Sequence, residues 1–105
     1  SGFNGQQFTF LGYLPSDKNA RITKLKEIEK RSQQRKETQI FIETPYRNQH
    51  MLEDILAHCS DASKLCVASN ISLENELIIS KPIAEWKKMG PLDLHKQPTV
   101  FLILA

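Results

Sequence analysis

The sequence predicts an α/β domain built on a small mixed sheet of about five strands with flanking helices. Three observations carry this. Short β-branched and aromatic runs are interleaved with charged segments of helical spacing. The run Gln39, Ile40, Phe41, Ile42 is followed at once by Thr44 and Pro45, a strong helix-start pair. Two strand-like runs between residues 64 and 80 leave room for only a hairpin-like link, so the sheet has antiparallel as well as parallel neighbours.

In chain order, Phe8, Phe10 and Leu11 favour a strand that ends in a turn at Gly12, Tyr13, Leu14 and Pro15. Ser16 or Asp17 can cap a helix in which Ala20, Ile22, Leu25 and Ile28 form one apolar stripe among charged residues. The run 39–42 is too short for a helix and reads as a buried strand. Behind it Thr44 is expected as the N-cap and Pro45 as the first helical residue, with Met51, Leu52, Ile55 and Leu56 at helical spacing. After a turn around Asp61, Leu65, Cys66, Val67 and Ala68 form a strand, and residues 76–80 another. Pro82 opens a short helix through Ile83, Ala84, Glu85 and Trp86 that stops before Gly90 and Pro91, and residues 99–104 make the last strand.

The 105 residues are 40% hydrophobic and 25% charged, without a long Gly, Ser or Pro tract. That composition suits one globular core rather than a disordered chain. The longest apolar run, 100–105, falls far short of the ~20 residues of a membrane span, and the first residues lack the pattern of a signal peptide. The expectation is a cytoplasmic domain with no membrane partner. Cys59 and Cys66 form no Cys-x-x-Cys pair and read as free core thiols, while His50, His58 and His95 have no metal-ligand spacing. The glycines (Gly2, Gly5, Gly12 and Gly90) are scattered, which excludes a Walker loop or a dinucleotide fingerprint within the chain.

The net charge of +2 conceals a local excess: residues 18–36 hold eight basic side chains against two acidic ones, Glu27 and Glu29. Such a helix either faces solvent with Lys/Glu pairing or attracts a phosphate backbone.

In open α/β sheets ligands settle beyond the carboxyl ends of strands, and a helix N-terminus adds N–H groups and partial positive charge. Residues 43–47 occupy that position. Packing alone accounts for them equally well, with Thr44 as a cap, Glu43 and Arg47 as an i,i+4 pair and Tyr46 as a staple on the core. No nucleophile and base pair off by spacing, so the residues themselves assign no catalytic group.

The order Ser1-Gly2-Phe3, Phe8-Thr9-Phe10-Leu11-Gly12-Tyr13-Leu14-Pro15, a basic helix, Gln39-Ile40-Phe41-Ile42-Glu43-Thr44-Pro45-Tyr46-Arg47 and a closing strand resembles the carboxy-terminal domain of the tetrapyrrole methylase superfamily. It is most similar to the bacterial branch that methylates a ribose 2′-hydroxyl of small-subunit ribosomal RNA, in which a strand runs into Glu-Ser-Pro-His-Arg. Residues 80–86 also follow a family segment. The chain departs from that branch at Ser69, Asn70, Ile71, Ser72 and Leu73, where an Arg-Glu pair and Leu-Thr-Lys are usual.

The resemblance implies one half of a two-domain methyltransferase that binds S-adenosyl-L-methionine in the cleft between its halves. The amino-terminal half, with the family's Gly-rich loop, is a partner expected in cis, and without it the domain is expected to be inactive. By position the resemblance implies cofactor contacts at Ile42, Glu43 and Thr44, at Ala68 and Ser69, and at Pro98 and Thr99. It implies RNA contacts at Tyr46 and Arg47 and at Lys24, Arg31 and Arg35 of the basic helix. Ribosomal RNA or the small subunit is the implied substrate, and pairing as a homodimer is common in the family. A tetrapyrrole substrate and a non-catalytic RNA-binding module are the alternatives.

Overall fold

The computed structural model describes residues 7–70, 74, 76–90 and 98–105. Ser1, Gly2 and Phe3 of the family pattern, the departing Ile71, Ser72 and Leu73, and Pro91 and His95 lie outside them. The elements follow the order β1 (Phe8–Tyr13), α1 (Lys18–Arg35), β2 (Thr38–Ile42), α2 (Asn48–His58), β3 (Lys64–Ser69), β4 (Leu77–Pro82), α3 (Ile83–Met89) and β5 (Thr99–Leu104). The strands form one mixed sheet in the order β1-β2-β5-β3-β4. The β1–β2 pair is parallel, bridged by α1, and the other three pairings are antiparallel. All five expected strands are present, and the last sits in the middle of the sheet.

Strand register decides which side chains share a face. Phe41 lies opposite Phe101, and Leu65 opposite Ile103. These point to the side on which Leu25 and Ile28 of α1, Met51, Leu52 and Ile55 of α2, and Ile83 and Trp86 of α3 complete one core cluster. The Phe41 and Phe101 rings stack with centroids 5.6 Å apart. All three helices therefore contribute to the core on one side of the sheet. On the other side, Ile40 pairs with Leu102, Ile42 with Val100, Cys66 with Leu102, and Ala68 with both Val100 and Ile78.

Helix α1 starts where Asp17 accepts a hydrogen bond from the Ala20 amide at 3.0 Å and ends at Lys36, in left-handed conformation (φ 53°). Its buried stripe is Arg21, Leu25, Ile28 and Ser32, whereas Ala20 is exposed and Ile22 half-buried. The apolar spacing misplaced the stripe because Arg21 is neutralised inside by Asp54 of α2, at 2.7 Å. In β1 the register slips between Phe10 and Gly12, a bulge made possible by Gly12 at φ 72°.

The expected start of α2 is corrected. Thr44 does not cap it and Pro45 is not helical; the helix begins at Asn48, with Arg47 as its N-cap and no side-chain cap bond. The Thr44 amide is taken by the Glu43 carboxylate at 2.8 Å, and the Thr44 carbonyl accepts from the Arg47 amide at 2.9 Å. A separate turn therefore forms first, and helical bonding starts with the Met51 amide donating to the Arg47 carbonyl. Helix α3 does stop at Gly90, whose φ of 90° favours glycine.

Candidate cofactor pocket and cationic hollow

Strands β2 and β3 end, and β5 begins, at the same edge of the sheet. There the pairings differ in extent. The β2–β5 ladder stops at Ile42 opposite Val100. The β3–β5 ladder runs on through Ser69 opposite Thr99 to a bond from the Asn70 amide to the Pro98 carbonyl at 2.9 Å. The sheet consequently splits between β2 and β5, not between β5 and β3.

A cavity of about 320 Å³ opens in that split, lined by Tyr13, Ile42, Glu43, Pro45, Pro98, Thr99 and Val100. Four of the seven positions carried over as cofactor contacts, Ile42, Glu43, Pro98 and Thr99, thus surround one hollow. Ala68 and Ser69 stand at the same edge but are buried and do not line it, because the unbroken β3–β5 ladder closes that side. Thr44 is exposed next to the hollow, and its amide is occupied by Glu43. Tyr13, Pro45 and Val100 are lining residues that position alone did not single out. Tyr13 arrives because the bulge at Gly12 brings it beside Ile42 in the register.

A second hollow, of about 270 Å³, lies on the other side of the 44–47 turn, lined by Ser16, Arg21, Tyr46, Arg47 and His50. Pro45 borders the first hollow and Tyr46 the second. No carboxylate lines it. Arg21 is buried, held by Asp54 and by a bond to the Ser16 carbonyl at 3.2 Å. Arg47 and His50 are exposed and pair with no carboxylate among the described residues. Tyr46 is 70% exposed, so it is no staple on the core, and Glu43 and Arg47 form no ion pair. His50 was not foreseen as a contact; its place three residues beyond Arg47, one turn along α2, was the available signal.

The basic residues of α1 do not gather at this edge. Lys24 follows Arg21 by one turn and pairs loosely with Glu27 at 3.8 Å. Arg31 binds Glu37 at 3.0 Å. Arg35 lies ~21 Å along the helix from Arg21, toward the opposite end of the sheet. Glu37 is the centre of that far end. Its carboxylate accepts from Gln39, Thr9 and Arg31, which hold it below the usual carboxylate range.

Both cysteines are buried and free, as expected. Among the described residues no cluster of three metal-ligating side chains occurs, and no helix is long and apolar enough to cross a membrane.

No family model matches the chain. It is 35% identical over 85 residues to the ribosomal RNA small subunit methyltransferase I of Vibrio cholerae serotype O1 (strain ATCC 39315 / El Tor Inaba N16961), covering 81% of this chain and 28% of that protein. It thus spans less than a third of the curated relative it matches. Among solved structures, that of the methyltransferase CobJ aligns with 95% of this chain and 41% of its own length, with a TM-score of 0.55 at 14% identity. The second likeness is one of fold, and the first is one of sequence. Together they identify the chain as a domain of the tetrapyrrole methylase type, the S-adenosylmethionine-dependent methyltransferases that the segments around Gly12 and Glu43 resemble.

Proposed function

We propose that this domain is the carboxy-terminal half of a methyltransferase that modifies ribosomal RNA, and that its hollow between β2 and β5 receives the adenosine end of S-adenosyl-L-methionine. The observation that carries the reading is the convergence of Ile42, Glu43, Pro98 and Thr99 on one cavity at the sheet edge. The residues present fit such a group. Ile42, Val100, Pro45 and Pro98 offer apolar walls and Tyr13 an aromatic one, as a flat base requires, while the diverging strand ends supply backbone polar groups beside them.

The cofactor supplies a methyl group on a sulfonium centre. The domain's own contribution is positioning, which for an in-line transfer is a large part of the barrier reduction. Arg47 and His50, on the first turn of an α2 that carries neither a side-chain cap nor an acidic residue, face a hollow suited to a phosphate of the RNA backbone. The exposed Tyr46 ring beside them can stack on an unpaired base. Lys24 extends this track by one turn. Arg31 and Arg35 lie further along α1 and make later contacts with the same strand, Arg31 only after leaving Glu37. The amino-terminal half docks across the sheet edge and closes the cleft over both hollows.

The test uses the full-length protein. Labelled methyl groups are expected to pass from S-adenosylmethionine to RNA of the small ribosomal subunit. Thr99→Trp, which fills the hollow, is expected to weaken cofactor binding at least tenfold by calorimetry. Arg47→Glu is expected to weaken RNA binding while cofactor affinity stays intact. Cofactor affinity unchanged by Thr99→Trp would sink the pocket assignment. Methyl transfer to a tetrapyrrole instead of RNA would reassign the substrate and leave the pocket standing.

A further inference from the structure

The sheet has two faces, and the three helices pack on one. Six large hydrophobic side chains are exposed among the described residues, and four of them lie on the other face: Phe8 (49%), Phe10 (66%), Tyr13 (65%) and Ile78 (48%). The register places them there. Phe8 pairs with Thr38 and Phe10 with Ile40 on β2, Tyr13 with Ile42, and Ile78 with Ala68 on β3. Between these edges run Ile40, Leu102 and Leu104, all partly accessible. Lys64 is the face's one charged side chain, at the end of β3. A soluble monomer seldom leaves so continuous an apolar patch open.

We propose that this face is the interface through which two copies of the chain pair, sheet against sheet. The charge pattern selects the occupant. With a single lysine and no carboxylate, the face offers nothing to an ionic partner, and a nucleic acid would need a basic cluster that it lacks. A second copy matches it in kind, apolar on apolar across a two-fold axis, and two packed sheets bury inner faces of this sort with strands nearly aligned.

The area suffices. Five strands ~4.8 Å apart and about six residues long make a face of roughly 24 by 20 Å, or about 1,000 Å² across the pair. That reaches the size at which an interface becomes specific, at about 1,000 Å². Phe8 and Phe10 stand out from the sheet and add to it. The amino-terminal half proposed above docks on the sheet edge rather than this face, but the pairing does not depend on the methyltransferase reading.

Phe10 and Ile78 are exposed, sit on the two outer strands and line neither hollow, so charges there spare both the core and the pocket. Sedimentation equilibrium of the full-length protein is expected to give a dimer at micromolar concentration. Phe10→Glu and Ile78→Lys are each expected to raise the dissociation constant at least tenfold. The near-ultraviolet signal of Trp86, buried on the opposite face, should stay native in both variants. A monomeric wild type would overturn the proposal and assign the cover to another part of the same chain. A dimer unmoved by either charge would overturn it as well, by placing the contact elsewhere.

Discussion

The guanidinium of Arg21, in the first turns of α1, meets the carboxylate of Asp54 in the middle of α2, with Nε and Nη2 both 2.7 Å from the same oxygen. Both residues are 7% exposed, so the pair ties the two helices together largely out of water. Removing one partner leaves a buried charge uncompensated, which costs about 3–5 kcal/mol. Asp54→Ala is expected to fall in that range by urea unfolding, and an Arg21→Met, Asp54→Leu double variant to recover most of the loss. A single-variant loss under about 1 kcal/mol would mean that water reaches the pair.

Glu37 makes stability depend on pH. Hydrogen bonds from Gln39 first, then Thr9, with Arg31 adding a bond and its charge, hold the carboxyl below its ordinary value of 4.5. A carboxyl lowered by folding stabilises the native state above its unfolded value, and that contribution fades as the pH falls through the folded value. Stability is therefore expected to decline as the pH drops below 4.5. Glu37→Gln should flatten that part of the curve in a pH series of thermal melts. An unchanged slope would assign the acid sensitivity to other carboxylates.

Neither thiol should behave as a reactive cysteine. Burial, with Glu29 nearby, pushes Cys59 up to about 12, and burial raises Cys66. At neutral pH both remain protonated, and only the thiolate attacks. An aromatic disulfide reagent is expected to leave the native protein untouched and to react with two thiols per chain in denaturant. Rapid labelling of the native state would show that α2 or the sheet opens on the assay timescale.

Lys36 ends α1 with φ 53° and ψ 44°, a conformation that glycine adopts without strain. Lys36→Gly is expected to raise stability by about 0.5–1 kcal/mol, since relief of the left-handed strain exceeds the added freedom of the unfolded chain. A loss in chemical denaturation would show that the lysine stem packs on the helix end.

Most of the architecture was legible in local patterns, because strands of five or six residues bounded by Gly, Pro and caps leave few alternatives. Residues 99–104 were read as a strand without error, as was the end of α3 at Gly90. Periodicity failed where a tertiary partner overrode it. Arg21 belongs to the buried stripe only because Asp54 approaches from another helix. The start of α2 moved because the Glu43 carboxylate occupies the Thr44 amide. The site was visible as a position beyond strand ends. Its lining depended on where one ladder stops and the other continues, which no single segment encodes.

Strand β5 follows every other element in the chain yet lies between β2 and β3, bonded to both. Until it is synthesised, β1 with β2 and β3 with β4 are two separate ribbons with no edge in common. Closure of the sheet, and with it the stacking of Phe41 on Phe101 and the mouth of the candidate pocket, waits for the final residues to leave the ribosome. Folding is thereby committed late and by long-range pairing, which places this domain among the slower folders of its size.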